Sequence, residues 1–276
     1  MRVSRFAIAA MIVLPVVIGP IAADAAPIVF FASGNNPAAI QATVDAFRTD
    51  LGTLNPNVAG SFGSGRREIN WDGVPDARSA PNNLPANFFN SNSPRGVVFS
   101  TPGTGFQVSA TAASGTPVRF GNLDPSYTAQ FQTFSAQRLF TALGSNVLDV
   151  NFFVPGTTAA ALTRGFGSVF TDVDLSNVTN LSFFDVNNAL LDTIFVPAGP
   201  DGGLSFLGVD YGSAVVSRVR VTSGNAALGL PESGNDLVVM DDFVYGEPIP
   251  EPGTMALLAM GILGLGLVTL RRRRRT

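Results

Sequence analysis

Between about residues 96 and 245 the chain is divided into short apolar runs rich in Val, Phe and Thr, each bounded by Gly, Pro, Asn or Asp. Runs of this length suit strands and are too short for independent helices. Those at 96–100, 106–110, 147–154, 167–173, 181–186, 190–196, 204–209, 215–222 and 237–245 are the strand candidates, with a further short strand at 28–31. In Val215-Val216-Ser217-Arg218-Val219-Arg220-Val221 the two Arg alternate with Val, which places Arg218 and Arg220 on a solvent face. Helical spacing occurs with conviction once, at Ile40, Val44, Phe47 and Leu51, with Asn36 as N-cap, Pro37 in the first turn and Gly52 past the end. The repeated long helices of an α/β fold are missing. The expected class is mainly β: a β-sandwich or jelly-roll-like domain carrying one N-terminal amphipathic helix.

Composition closes many chemical routes. The 276 residues include 17 Arg and 20 acids but no Lys, His or Cys. Ser-His-Asp and Cys-His nucleophiles are impossible, as are thiolate or imidazole zinc sites, Schiff bases and Walker-type phosphate loops. Proton transfer near neutral pH is left to carboxylates, water or a shifted Tyr, and a non-enzymatic role is expected. No disulfide can form, so an exported body must be held by its core, and a body of more than 200 residues is long enough to bury one.

Both ends depart from this middle. Arg2 and Arg5 precede an apolar run over 6–21 and then Ala23-Asp24-Ala25, the small-x-small pattern accepted by signal peptidase. Residues 1–25 are expected to be a cleaved signal peptide, cut after Ala25 or Ala26. At the other end Pro250-Glu251-Pro252-Gly253-Thr254 is followed by a sixteen-residue apolar stretch, 255–270, and by Arg271, Arg272, Arg273, Arg274 and Arg275. As a helix the stretch reaches about 24 Å, short of a hydrocarbon core of about 30 Å, and flanking Arg can snorkel to close the gap. The Arg cluster belongs on the cytoplasmic side and the body outside.

The order Pro-Glu-Pro-Gly-Thr, short Gly- and Leu-rich membrane segment and terminal Arg cluster resembles the PEP-CTERM sorting tail of Gram-negative bacteria. The resemblance covers residues 250–276 and implies recognition by an exosortase, a membrane-embedded cysteine peptidase, with Pro250, Glu251, Pro252 and Gly253 as the sorting signal. It also implies an inner-membrane intermediate, a final place at the cell surface or in the extracellular matrix, and association with exopolysaccharide. A permanent single-span anchor is the alternative. A sorting label says nothing about the activity of what it sorts.

The secreted domain is assigned to 27–248. Removing the seven Arg of the two ends, with Asp24 and Glu251, leaves 10 Arg against 18 acids, a net charge of −8. Such a body is repelled by nucleic acid, so the basic tail is not a DNA-binding patch. No internal repeat is evident. One domain is expected, with a domain break near 101–105 as the alternative. The stretch 55–94 is rich in Gly, Asn, Pro and Ser, yet Phe62, Ile69, Trp71, Leu84, Phe88 and Phe89 make it ordered loop or a layer on a sheet rather than a linker. From Gly65-Arg66-Arg67-Glu68-Ile69-Asn70-Trp71-Asp72-Gly73 to the closing Asp241-Asp242-Phe243-Val244-Tyr245-Gly246, the domain resembles secreted β-rich bacterial proteins of unknown activity, a likeness that assigns no residue a role.

Two constellations are candidate sites. Glu68, Asp72 and Asp76 crowd around Trp71, as in a glycan cleft or a glycosidase; the competing reading has Trp71 in the core and Asp72-Gly73 in a turn. Asp172, Asp174, Asp236, Asp241 and Asp242, with Asn235, supply the hard oxygens that calcium takes. On a regular strand Asp241 and Asp242 point to opposite faces, so only one would join a given site, and an Arg partner is the commoner answer to a buried Asp. No cofactor is required; calcium is the candidate. With 22 Phe against three Tyr and one Trp, the aromatics are suited to packing. Three roles follow: a non-catalytic structural or adhesive matrix protein, a carbohydrate-binding module with or without calcium, and a carboxylate glycosidase.

Overall fold

The computed structural model describes residues 26–229, 234–251 and 253. The signal-peptide assignment (1–25), Pro252, the apolar stretch 255–270 and Arg271 to Arg275 lie outside the described residues. Among the described residues no helix is long and apolar enough to cross a membrane.

In chain order the strands are β1 (Ile28–Gly34), β2 (Arg66–Ile69), β3 (Val97–Ser100), β4 (Gly105–Val108), β5 (Phe140–Leu143), β6 (Val147–Phe152), β7 (Ala161–Leu162), β8 (Gly165–Thr171), β9 (Asn180–Phe184), β10 (Leu190–Phe195), β11 (Leu204–Asp210), β12 (Arg218–Thr222), β13 (Val239–Gly246) and β14 (Ile249–Pro250). Among the described residues the one long helix, α1, is Pro37–Leu51. The expectation of a mainly β chain with few helices holds. Every strand pair is antiparallel.

The larger sheet runs β1-β11-β8-β13-β5-β4, and β2 shares the outer edge of β13 with β5. The smaller runs β10-β9-β12-β6-β3, and β14 pairs with β7. Inward side chains of the two sheets meet in one core. Phe99 of β3 lies 5.0 Å from Phe140 of β5 and 5.6 Å from Phe106 of β4, centroid to centroid, and Phe152 of β6 lies 5.5 Å from Tyr245 of β13. Arg218 and Arg220 on β12 face outward as expected, and both donate to Asp149 of β6.

α1 covers the other face of the large sheet. Asn36 caps it by accepting from the Ala39 N–H at 3.2 Å, and its buried face of Ile40, Val44, Phe47 and Leu51 packs on Val169, Leu204, Phe206 and Val244. Strands β8 and β11 are therefore buried on both faces, and they meet at Gly167 and Gly208, which pair directly. A Cβ on Gly167 would stand 2.8 Å from Phe47 Cε1 and one on Gly208 2.9 Å from Phe47 Cγ, so this glycine pair is the seat of the Phe47 ring.

One row of paired residues fixes where the chain ends leave. Val29 pairs with Val209, Val209 with Phe166, and Phe166 with Tyr245. The start of β1 and the end of β13 therefore sit at the same end of the sheet, three strand spacings or about 14 Å apart. α1 also finishes there: a Cβ on Gly165 would meet Leu51 Cδ2 at 3.4 Å.

Candidate functional site

At this end β13 runs into Glu247, whose carboxylate meets a fully buried Arg67 from β2. Arg67 Nε and Nη2 donate to the two Glu247 oxygens at 2.6 and 2.9 Å. Its remaining donors are taken by the carbonyls of Pro56, Val58, Gly60 and Pro94. Glu247 also accepts from Asn55 Nδ2 and from the Phe62 N–H. A buried charge is tolerable only when its hydrogen-bonding groups are met in this way. The pair thus binds the 55–62 loop to the root of the tail.

Pro248 follows, buried, and then β14 pairs Ile249 with Leu162 and Pro250 with Ala161. Pro250, the first residue of the expected sorting signal, is thus docked on the body, while Glu251 is half-buried and Gly253 exposed. Beside it, a cavity of about 230 Å³ is lined by Gly63, Ser64, Gly65, Arg164, Glu247 and Ile249 among others. Close by, Arg164 donates to Asp210 at 2.8 Å. Asp50 shares a hydrogen bond with Asp210, and this bond and partial burial push the Asp50 carboxyl up to about 6.

The Trp71 constellation is dispersed. Trp71 is 1% exposed, its indole N–H donates to the Asp241 carbonyl at 2.9 Å, and its ring stacks on Phe140 at 4.0 Å with Phe89 and Phe243 edge-on. Of the two readings of Trp71, a sugar-stacking platform and a core residue, this packing matches the core one: the indole is buried and is not a sugar-stacking face. A Trp71–Val74 turn carries Asp72-Gly73. Glu68 is held by Arg48 and Arg66, whereas Asp76 pairs with Arg138 Nη2 at 2.6 Å. Asp72 accepts from the Arg138 backbone N–H, and burial raises its carboxyl above the usual range.

Asp241 and Asp242 overturn the opposite-faces expectation. The β13–β8 register shifts between Met240 and Phe243, a bulge that sets two residues against one and breaks the alternation. Both carboxylates lie within hydrogen-bonding distance of Ser135 Oγ, at 3.1 and 2.8 Å. Asp241 also accepts from the Phe134 N–H, and Arg48 reaches Asp242 at 3.1 Å. Burial, then the neighbouring Asp242 charge, holds the Asp241 carboxyl far above its ordinary value; burial also raises Asp242. For Asp242 the partner is Arg.

Asp172 and Asp174 do converge, with a third residue that the sequence reading missed. Carboxylate oxygens of Asp172, Asp174 and Asp201 lie within 4.8 Å of one another. Asp172, buried and in the left-handed region at φ +71°, accepts from the Gly202 N–H and from Gln130 Nε2. Asp236 is buried alongside and accepts from the Asp174 N–H. Burial and then the Asp201 charge raise the Asp174 carboxyl. An all-oxygen set of this kind suits a hard cation.

No curated protein and no solved structure matches the chain. Residues 248–275, which follow directly on the Arg67–Glu247 pair, match the family model described as the PEP-CTERM protein-sorting motif. The chain therefore carries a PEP-CTERM sorting motif, the mark of an exported, membrane-transiting protein handled by an exosortase.

Proposed function

We propose that the body at 27–248 is a non-catalytic structural or adhesive component of the cell surface or extracellular matrix, associated with exopolysaccharide. In this reading signal peptidase removes residues 1–25. The 255–270 stretch then spans the inner membrane, with Arg271 to Arg275 inside, until the exosortase acts at the Pro250-Glu251-Pro252 signal. The observation that carries the reading is the motif fused to a body whose Trp and many Phe are spent on the core. Glycosidase chemistry is disfavoured because Glu68 and Asp76 are engaged by separate arginines.

A second reading, a calcium-dependent carbohydrate-binding module, is favoured by the convergence of Asp172, Asp174 and Asp201. Binding of the 27–248 fragment to a polysaccharide panel that includes the host exopolymer, in calcium and then in chelator, tests both. Saturable binding lost in chelator selects the second reading. Retention by exopolymer that ignores chelator fits the first, and a folded fragment retained by nothing counts against exopolysaccharide association.

A further inference from the structure

We propose that the end of the large sheet from which both chain ends leave is a lipid-docking surface, with Leu54, Val58 and Phe62 seated in the interface of the membrane that receives residues 255–270. The proposal rests on the reading that this stretch enters the membrane.

Tether length is the first argument. Pro250 is paired to the body through β14, and only residues 251–254 separate it from the apolar stretch. Four extended residues span about 14 Å. The headgroup layer on one side of a bilayer takes up roughly 5–8 Å of that. The body is therefore held against the lipid surface, with the Glu247 end facing it.

What the body presents there is the second argument. Leu54, Val58 and Phe62 are each about half exposed, at 50, 49 and 49%. The loop that carries them, residues 52–65, contains no charged residue in a body of net charge −8, so the loop itself adds nothing to the repulsion an anionic lipid surface exerts on the body; the nearby Asp50 carboxylate is faced by Arg164 at 3.7 Å.

The loop's polar backbone is also turned away from lipid. The carbonyls of Pro56, Val58 and Gly60 accept from Arg67, the Phe62 N–H donates to Glu247, and the Gly60 N–H donates to the Pro155 carbonyl. Backbone groups satisfied internally are what a lipid-facing segment requires. The Arg67–Glu247 pair thus has a second consequence: it fixes the backbone that presents Val58 and Phe62, the Phe62 ring lying over the Arg67 guanidinium at 5.4 Å with half its surface exposed, while Leu54 is set beside them by its bridge to Arg66.

Because the chain has no Cys, single-cysteine labelling is unambiguous. Full-length Val58→Cys, Phe62→Cys, Leu263→Cys and Asn35→Cys, each carrying an environment-sensitive fluorophore, would be reconstituted into phosphatidylcholine–phosphatidylglycerol vesicles. Asn35 is an exposed residue that follows β1 at the opposite end of the sheet. The expected result is blue-shifted emission, quenched by lipid-borne quencher, at 58, 62 and 263, with 35 in water. Lipid at 263 with water at 58 and 62 overturns the docking and leaves the membrane reading standing. Water at 58, 62 and 263 overturns both.

Discussion

The ring of Phe47 rests on Gly208 so closely that a Cβ there would lie 2.9 Å from both Cγ and Cδ2 of that ring. The helix is held to the sheet by this contact, in which Phe47 of α1 sits over the paired glycines of β8 and β11. Gly208→Ala is expected to destabilise the fold by about 1–3 kcal/mol through overpacking. Pairing it with Phe47→Leu should recover part of the loss, as a non-additive cycle in urea unfolding. Strict additivity would show that the ring and the glycine do not act together.

Arg67→Met removes one member of a fully buried ion pair and strands the Glu247 carboxylate. A loss of about 3–5 kcal/mol in denaturant midpoint analysis is expected. The double variant Arg67→Met with Glu247→Leu should be closer to the parent, since neither charge then remains in the interior.

Asp50 supplies a pH dependence of definite sign. Its carboxyl titrates at about 6 in the folded chain, above its ordinary value. The contribution is therefore fully present below pH ~4 and is lost as pH rises through about 6. Asp50→Asn mimics the protonated form. It should match the parent at pH 4 and exceed it in stability at pH 7.5, as read by chemical denaturation; equal pH profiles for the two proteins would remove Asp50 from the account.

Trp71→Ala should cost about 3–5 kcal/mol, the range for deleting a large buried aromatic. Because the indole stacks on Phe140 inside the core, any polysaccharide retention should survive in the milder Trp71→Phe variant. Loss of binding with unchanged stability would restore a recognition role to this residue.

Glu251→Ala should leave an uncleaved, membrane-held precursor in cells that contain the exosortase. Mass spectrometry of the C-terminus reads this directly. Normal processing of the variant would exclude Glu251 from the signal.

Much of the architecture could be read from the residues alone, because α1 and the main strands are set by local patterns: an Asn36 cap, apolar residues at 40, 44, 47 and 51, and runs bounded by Gly and Pro. Strand β2 escaped because Arg66-Arg67-Glu68-Ile69 has no apolar run. It is stabilised by ion pairs to partners 20 and 180 residues away, Arg48 with Glu68 and Arg67 with Glu247. Asp201 joins Asp172 only because the 200–203 turn folds back, the Gly202 N–H donating to Asp172 and the Asp172 N–H to the Gly203 carbonyl. A bulge leaves no mark on a period-two pattern, so the shared side of Asp241 and Asp242 had to come from the register. The two-residue pair β7 and β14 carries no periodicity at all, although it is where the sorting signal meets the body.

The place of β13 within the large sheet also decides how the molecule bears load. A pull on the tail, from the membrane or during extraction, is transmitted past Glu247 straight along β13. That strand has β8 on one side and β2 and β5 on the other. Its ladder bonds run perpendicular to the strand, so such a force shears many of them at once instead of opening them one after another. β14 would peel first; beyond it the tail is rooted in the part of the sheet that yields last.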